Sequence, residues 1–156
     1  MAPLTILAPV RGTVLLLADV DDPVFSGELV GPGMAILPDA EGSDTVLAPV
    51  SGRVVKLHPH AFVIEAPAGS ASVAVLVHLG IDTVQLGGEG FALRVAEGDE
   101  VAAGQPLLTW DPAAVARGGR SPVCPVVVLE AAPESLTRRV ERGVQVDAGE
   151  ALLDWR

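Results

Sequence analysis

VAVLVHLGIDTVQLGGEGF, residues 73–91, decides how this chain is read. Its first five residues are an unbroken apolar run that ends on a histidine, His78. A run of that length bounded by turn residues predicts a short strand buried on both faces. The stretch then closes on Gly87-Gly88-Glu89-Gly90, a turn-forming cluster. His78 therefore falls where a core strand hands over to a turn, with one ring face available for packing and one nitrogen available for chemistry.

Working outward, the nearest cluster upstream is His58-Pro59-His60-Ala61-Phe62, so all three histidines of the chain lie within positions 58–78. If residues 54–64 form one strand, His58 and His60 project from the same face. Pro59 between them lacks an N–H, which predicts a sheet edge or a bulge. Imidazoles facing one site can hold a metal, act as base and acid, or carry a phosphoryl group. Spacing alone leaves these open, beside the plainer reading of satisfied surface or core histidines.

Composition points to β structure. The 156 residues are 49% hydrophobic and only 3% aromatic, with 17 Gly and 13 Pro spread along the chain. Many short, punctuated segments predict an all-β sandwich or barrel with at most one or two short helices, and the length fits one domain over 1–156. A net charge of −10 argues against nucleic acid and anionic membranes and favours a basic partner. The single cysteine, Cys124, forms no internal disulfide, fits a reducing cytoplasm and reads as a small buried hydrophobe. The N-terminal MAPLTILAPVRG has neither the charged start of a signal peptide nor the length of a membrane span.

Two motifs recur. LAPVRGTV at 7–14 returns as LAPVSGRV at 47–54. VAEGDEVAAG at 95–104, followed by LLTW, returns as VERGVQVDAG at 140–149, followed by LLDW. Each copy places Gly at turns and Val at buried positions. The order first, first, second, second predicts interleaved halves within one domain, not two domains in tandem.

Elsewhere, residues 19–25 read as an acidic surface loop ending in Val24-Phe25, and 34–37 as a strand. The segment 38–45 reads as a polar loop tolerant of insertion. Asp111-Pro112 and Gly118-Gly119 bracket a helical turn. Residues 121–129 predict a strand with an edge-like start, because Pro122 and Pro125 lack ladder donors. Helical spacing over 133–142 predicts the one helix longer than a turn.

The chain resembles the glucose-type enzyme IIA of the bacterial phosphoenolpyruvate-dependent sugar phosphotransferase system. The residues that carry the resemblance are His78 with Gly80-Ile81-Asp82-Thr83-Val84, Gly88-Glu89-Gly90-Phe91, and His60-Ala61-Phe62. Asp22-Pro23-Val24-Phe25, Val30-Gly31, Gly33, the turn at 48–52 and Pro125-Val126-Val127 extend it over nearly the whole chain. The resemblance implies a duplicated, interleaved all-β fold in a cytoplasmic protein. It implies that His78 accepts a phosphoryl group from the histidine phosphocarrier protein, with His60 stabilising the moving group by a hydrogen bond. The onward acceptor would be a cysteine of a sugar-specific enzyme IIB, and no metal is required. Asp22 and Asp82 would draw a basic partner surface, with Phe25 and Val30 as an apolar docking rim. Asp82 also reads more plainly as the side-chain cap of a turn. His58 stands where relatives usually carry a threonine, and it either replaces that hydroxyl as a hydrogen-bond donor or points away from the site.

Two rivals from other classes come from the same residues. Biotinyl and lipoyl carriers share Gly-Asp-x-Val turns but need a lysine at a hairpin tip, and Lys56 is the only lysine. A zinc hydrolase of related fold could use His58, His60 and His78 as an open three-imidazole site. Such enzymes place their H-x-H pair late in the chain and add an earlier His and Asp, an order absent here.

Overall fold

The computed structural model describes residues 3–39 and 44–156. Its strands are β1 (Leu4–Leu7), β2 (Gly12–Leu16), β3 (Gly33–Pro38), β4 (Asp44–Leu47), β5 (Gly52–His58), β6 (Ala61–Ala68) and β7 (Ala71–His78). They continue as β8 (Ala92–Leu93), β9 (Glu100–Val101), β10 (Pro106–Trp110), β11 (Cys124–Val128), β12 (Leu136–Arg138), β13 (Gln145–Val146) and β14 (Ala151–Trp155). The helices are short: α1 (Pro23–Ser26) and α2 (Pro112–Arg117), with single 3-10 turns elsewhere. The predicted all-β class is therefore observed.

An eight-stranded sheet runs β13-β2-β3-β11-β7-β6-β5-β9, with two three-stranded sheets, β1-β14-β12 and β4-β10-β8. Ile6, Val46, Leu107, Leu108, Leu152 and Leu153 of the small sheets join Val14, Ile36, Val54, Ile64, Val75 and Val126 of the large one in a single apolar core. Burial of that surface is the main driving force for the fold.

β7 sits near the middle of the large sheet, between β6 and β11. Val73, Val75 and Val77 enter the main core, while Leu76 packs on a second cluster formed by Leu17, Phe25, Ala35, Ile81 and Val127. The run at 73–77 is apolar throughout because both faces of this strand are covered.

The repeats pair across the halves as interleaving requires. Ala8 exchanges backbone bonds with Glu150 and Gly149, as Ala48 does with Gln105 and Gly104. Val14 accepts from Gly143 and donates to Val144, and Val54 does the same with Gly98 and Asp99. Leu7 N–H donates to Pro49 O and Leu47 N–H to Pro9 O, a reciprocal exchange that ties the two first-type motifs together.

Several local expectations need correcting. Residues 54–64 are not one strand: β5 pairs antiparallel with β6, His58 opposite Ala61, so Pro59-His60 is a two-residue hairpin loop. Pro59 lies outside the ladder, where its missing N–H costs nothing. Residues 133–142 are not a helix. One 3-10 turn at Pro133–Ser135 leads into β12, whose Leu136, Thr137 and Arg138 pair with Trp155, Asp154 and Leu153 of β14. Leu136 and Val140 both pack on the main core, so tertiary pairing overrides their four-residue spacing. The acidic loop at 19–25 contains α1, capped by the Asp22 side chain.

Other expectations stand. α2 begins on Asp111, whose side chain accepts from Ala114 N–H, and ends at Gly118. β11 is internal, yet its Cys124 and Pro125 pair with β3 alone and β7 joins only from Val126, which is the edge-like start expected of the prolines. Cys124 is fully buried. Half of the expected insertion loop at 38–45, residues 40–43, lies outside the described residues.

Candidate functional site

The site forms where the ends of two neighbouring hairpin strands meet. β7 pairs with β6 so that His78 lies opposite Ala61, which brings the last residue of one strand beside the loop that carries His60. Leu79 N–H donates to His60 O at 2.7 Å, fixing the two backbones to each other. The ring of Pro59 sits against Gly88 of the glycine-rich turn.

Geometry makes the three imidazoles unequal. His78 and His60 meet edge to face with ring centroids 5.3 Å apart, and His60 stacks on His58 at 5.7 Å with 25° between planes. His78 is part-buried, its other side against the Phe25 ring at 5.3 Å. His78 Nδ1 lies 2.6 Å from Gly80 O. A carbonyl only accepts, so Nδ1 carries the proton and Nε2 keeps the lone pair.

The loop after His78 is built to present that carbonyl. Gly80 adopts φ +80°, and a Cβ there would fall 2.6 Å from Thr83 Cγ2 and 3.0 Å from Ser121 O. Thr83 is buried, and its Oγ1–H donates to Leu79 O at 2.7 Å. Spacing alone gave Thr83 no role. Its signal was a hydroxyl four residues after an apolar strand end in an otherwise apolar pocket.

Burial pushes the pKa of His78 down, opposed by the Gly80 hydrogen bond and by the charges of Asp22 and Asp82. His60 is also pushed down, first by burial and then by His78 and His58. Both rings are held neutral to lower pH than a free imidazole. His78 therefore presents an uncharged nucleophilic nitrogen, and His60 a neutral N–H donor beside it.

The remaining predicted residues divide. Asp22 serves α1, its Oδ1 accepting from Val24 N–H, while its charge still reaches His78. Asp82 is exposed, with φ 60° and no side-chain capping bond; the plain turn-cap reading fails and its carboxylate remains free for other use. Phe25 is 6% exposed, so it supports His78 from beneath and forms no exposed rim. Val30 packs part-buried on the second cluster. Exposed apolar side chains instead come from Val24 and Val84. His58 makes no hydrogen bond to either partner histidine among the described residues and meets His60 by stacking. Lys56 sits exposed within β5 and not at a hairpin tip, which removes the carrier-domain reading.

No three His, Cys, Asp or Glu side chains converge in a metal-holding arrangement among the described residues. A groove lined by Leu29, Val30, Ala74, Leu129 and Trp155 contains no histidine. His78 thus stays part-buried at a strand end, with Nε2 left free by the Gly80 contact of Nδ1.

Comparison with known proteins agrees with this fold. Residues 4–134 match the family described as phosphoenolpyruvate-dependent sugar phosphotransferase system, EIIA 1. The PTS system glucose-specific EIIA component of Bacillus cereus is 39% identical over 139 residues, covering 87% of this chain and 81% of that protein. The PTS system mannose-specific EIIBCA component of Corynebacterium glutamicum is 40% identical over 129 residues, which cover 81% of this chain but 18% of that larger protein. Among solved structures, glucose permease IIA from Mycoplasma capricolum superposes with TM-score 0.85 at 35% identity, covering 99% of this chain and 96% of that one.

Proposed function

The chain belongs to the EIIA 1 family of the phosphoenolpyruvate-dependent sugar phosphotransferase system, and from that premise we propose that His78 is its phosphoryl-accepting residue in a sugar-uptake relay. The observation that carries this reading is the 2.6 Å contact from His78 Nδ1 to Gly80 O, which leaves Nε2 as the free nucleophile.

The incoming group arrives on a histidine of the phosphocarrier protein. The Nε2 lone pair attacks phosphorus in line, the donor's N–P bond breaks, and its electron pair returns to the donor imidazole. In the second half-transfer an enzyme IIB thiolate attacks, an S–P bond forms, and His78 leaves with its Nε2 lone pair restored. Phosphoryl transfer asks little covalent chemistry of the protein beyond the nucleophile, so positioning and charge stabilisation dominate. His60, at 5.3 Å between ring centroids, donates an N–H to an equatorial oxygen, a contact that strengthens as charge spreads in the transition state. No metal ion takes part in either step.

Asp22 and Asp82 have two effects. Their field disfavours a retained phosphoryl dianion, which keeps the group transferable, and it attracts basic partner surfaces. Val24 and Val84, each two residues from one of these carboxylates, supply exposed apolar contact. The relay unit is the single domain over 1–156, acting in the cytoplasm.

The direct test is intact mass after incubation with phosphoenolpyruvate, enzyme I and the phosphocarrier protein. One acid-labile phosphoryl group per chain is expected. An unchanged mass with active donor proteins would overturn the relay.

A further inference from the structure

His60 differs from His78 in what holds it. The His78 ring is tethered by Gly80 O and backed by Phe25. The His60 backbone is fixed through Leu79, but its ring takes no hydrogen bond among the described residues. Its orientation rests on two aromatic neighbours, His78 edge to face and His58 nearly parallel. A donor that acts on a moving phosphoryl oxygen must be oriented before the group arrives. A side chain in a two-residue loop has rotamer freedom that something must remove.

We propose that His58 is a positioning residue for His60, its stacked ring locking the His60 imidazole into the edge-to-face arrangement with His78. The inference rests on the relay reading. His58 is the last residue of β5 and pairs with Ala61, so its backbone is set by the ladder while its ring lies over the loop. Aromatic faces offset at this separation attract modestly beyond their buried area. The ring is exposed, so replacing it leaves the core untouched.

The titratable groups facing His60 are His58 from β5 and His78 from β7, the latter within the field of Asp22 and Asp82, and both histidines help hold the His60 pKa down.

The test compares phosphoryl exit from the phosphorylated protein to an enzyme IIB thiol in the wild type, H58A, H58F, H60Q and H58A/H60Q. At pH 8, H58A should slow exit roughly 10-fold, as loss of orientation without loss of the donor would. H58F, which restores a flat ring, should stay within about 2-fold of the wild type. On the H60Q background H58A should cost nothing further, since its effect runs through His60. An unaltered H58A, an H58F as slow as H58A, or an additional loss in H58A/H60Q would each overturn the proposal. Imidazole NMR titration of the unphosphorylated proteins supplies an independent readout: H58A should move the His60 midpoint upward and broaden its ring orientation. A wild type that accepts no phosphate would end the relay reading, while an unmoved His60 midpoint would end the His58 coupling.

Discussion

His78 and His60 meet edge to face at 5.3 Å, yet only His78 has a ring nitrogen pinned by the backbone. That difference supports the roles proposed for them. A nucleophile must keep one tautomer through the reaction, and the Gly80 carbonyl enforces it. An oxyanion donor needs orientation toward an oxygen, which stacking supplies.

Acid should weaken both acceptance and stability. His78 and His60 have pKa values lowered from 6.5 in the folded chain. Between those lowered values and 6.5 the unfolded chain binds more protons, so stability is full above about 6.5 and falls as pH drops through the folded values. Denaturant titrations from pH 7.5 to 5 should show a declining midpoint, with a shallower decline in H78Q. The acid limb of phosphoryl acceptance should lie below the pH at which a free imidazole is half charged.

Gly80→Ala should damage the site through the backbone. The left-handed φ and the 2.6 Å approach to Thr83 Cγ2 force the loop to move and carry the Gly80 carbonyl away from His78 Nδ1. A loss of about 1–3 kcal/mol is expected from strain of this kind. Acceptance should fall more steeply than stability predicts, measured by chemical denaturation beside the rate of phosphorylation.

Asp82→Asn tests electrostatic attraction. The carboxylate caps nothing, so folding should be unaffected. Association with a basic donor should slow at low ionic strength and converge with the wild type at about 0.5 M salt, where screening is strong. Stopped-flow association rates across a salt series decide it. A constant difference at all salts would assign Asp82 a local structural role.

Much of this architecture was legible before the structure, and the exceptions have causes. The repeats carried their own pairing pattern, since Gly turns and Val positions at matching offsets can satisfy backbone bonds only by crossing between halves. α2 was legible because Asp111, Pro112 and Gly118 act locally. His58-Pro59-His60 reads as strand in the sequence yet turns through a hairpin loop, because a proline within an apolar segment signals an edge, a bulge or a loop alike. The side-by-side placement of His58 and His60 came out nonetheless, through the loop. The strand at Leu136 and the burial of Phe25 depend on partners distant in sequence, β14 and the His78 ring, and no local pattern reports those. The zinc reading rests on three histidines close in sequence, which in space meet as a stack and an edge contact.

Exhaustive chelation should leave both half-transfers at their original rates, because His78 and His60 act by lone pair and hydrogen bond. Loss of transfer on chelation, restored by zinc, would shift the site to metal-dependent chemistry.

The central claim, that His78 is the nucleophile and His60 the stabilising donor, is tested most directly by the two half-transfers of H78Q and H60Q. H78Q should accept no phosphate from the phosphocarrier protein, since Gln keeps size and polarity without the nucleophilic nitrogen. H60Q should still acquire one phosphoryl group, and its delivery to an enzyme IIB thiol should slow by about 10²–10³, the usual cost of one such donor. Acceptance by H78Q, or abolition of acceptance in H60Q alone, would contradict the assignment.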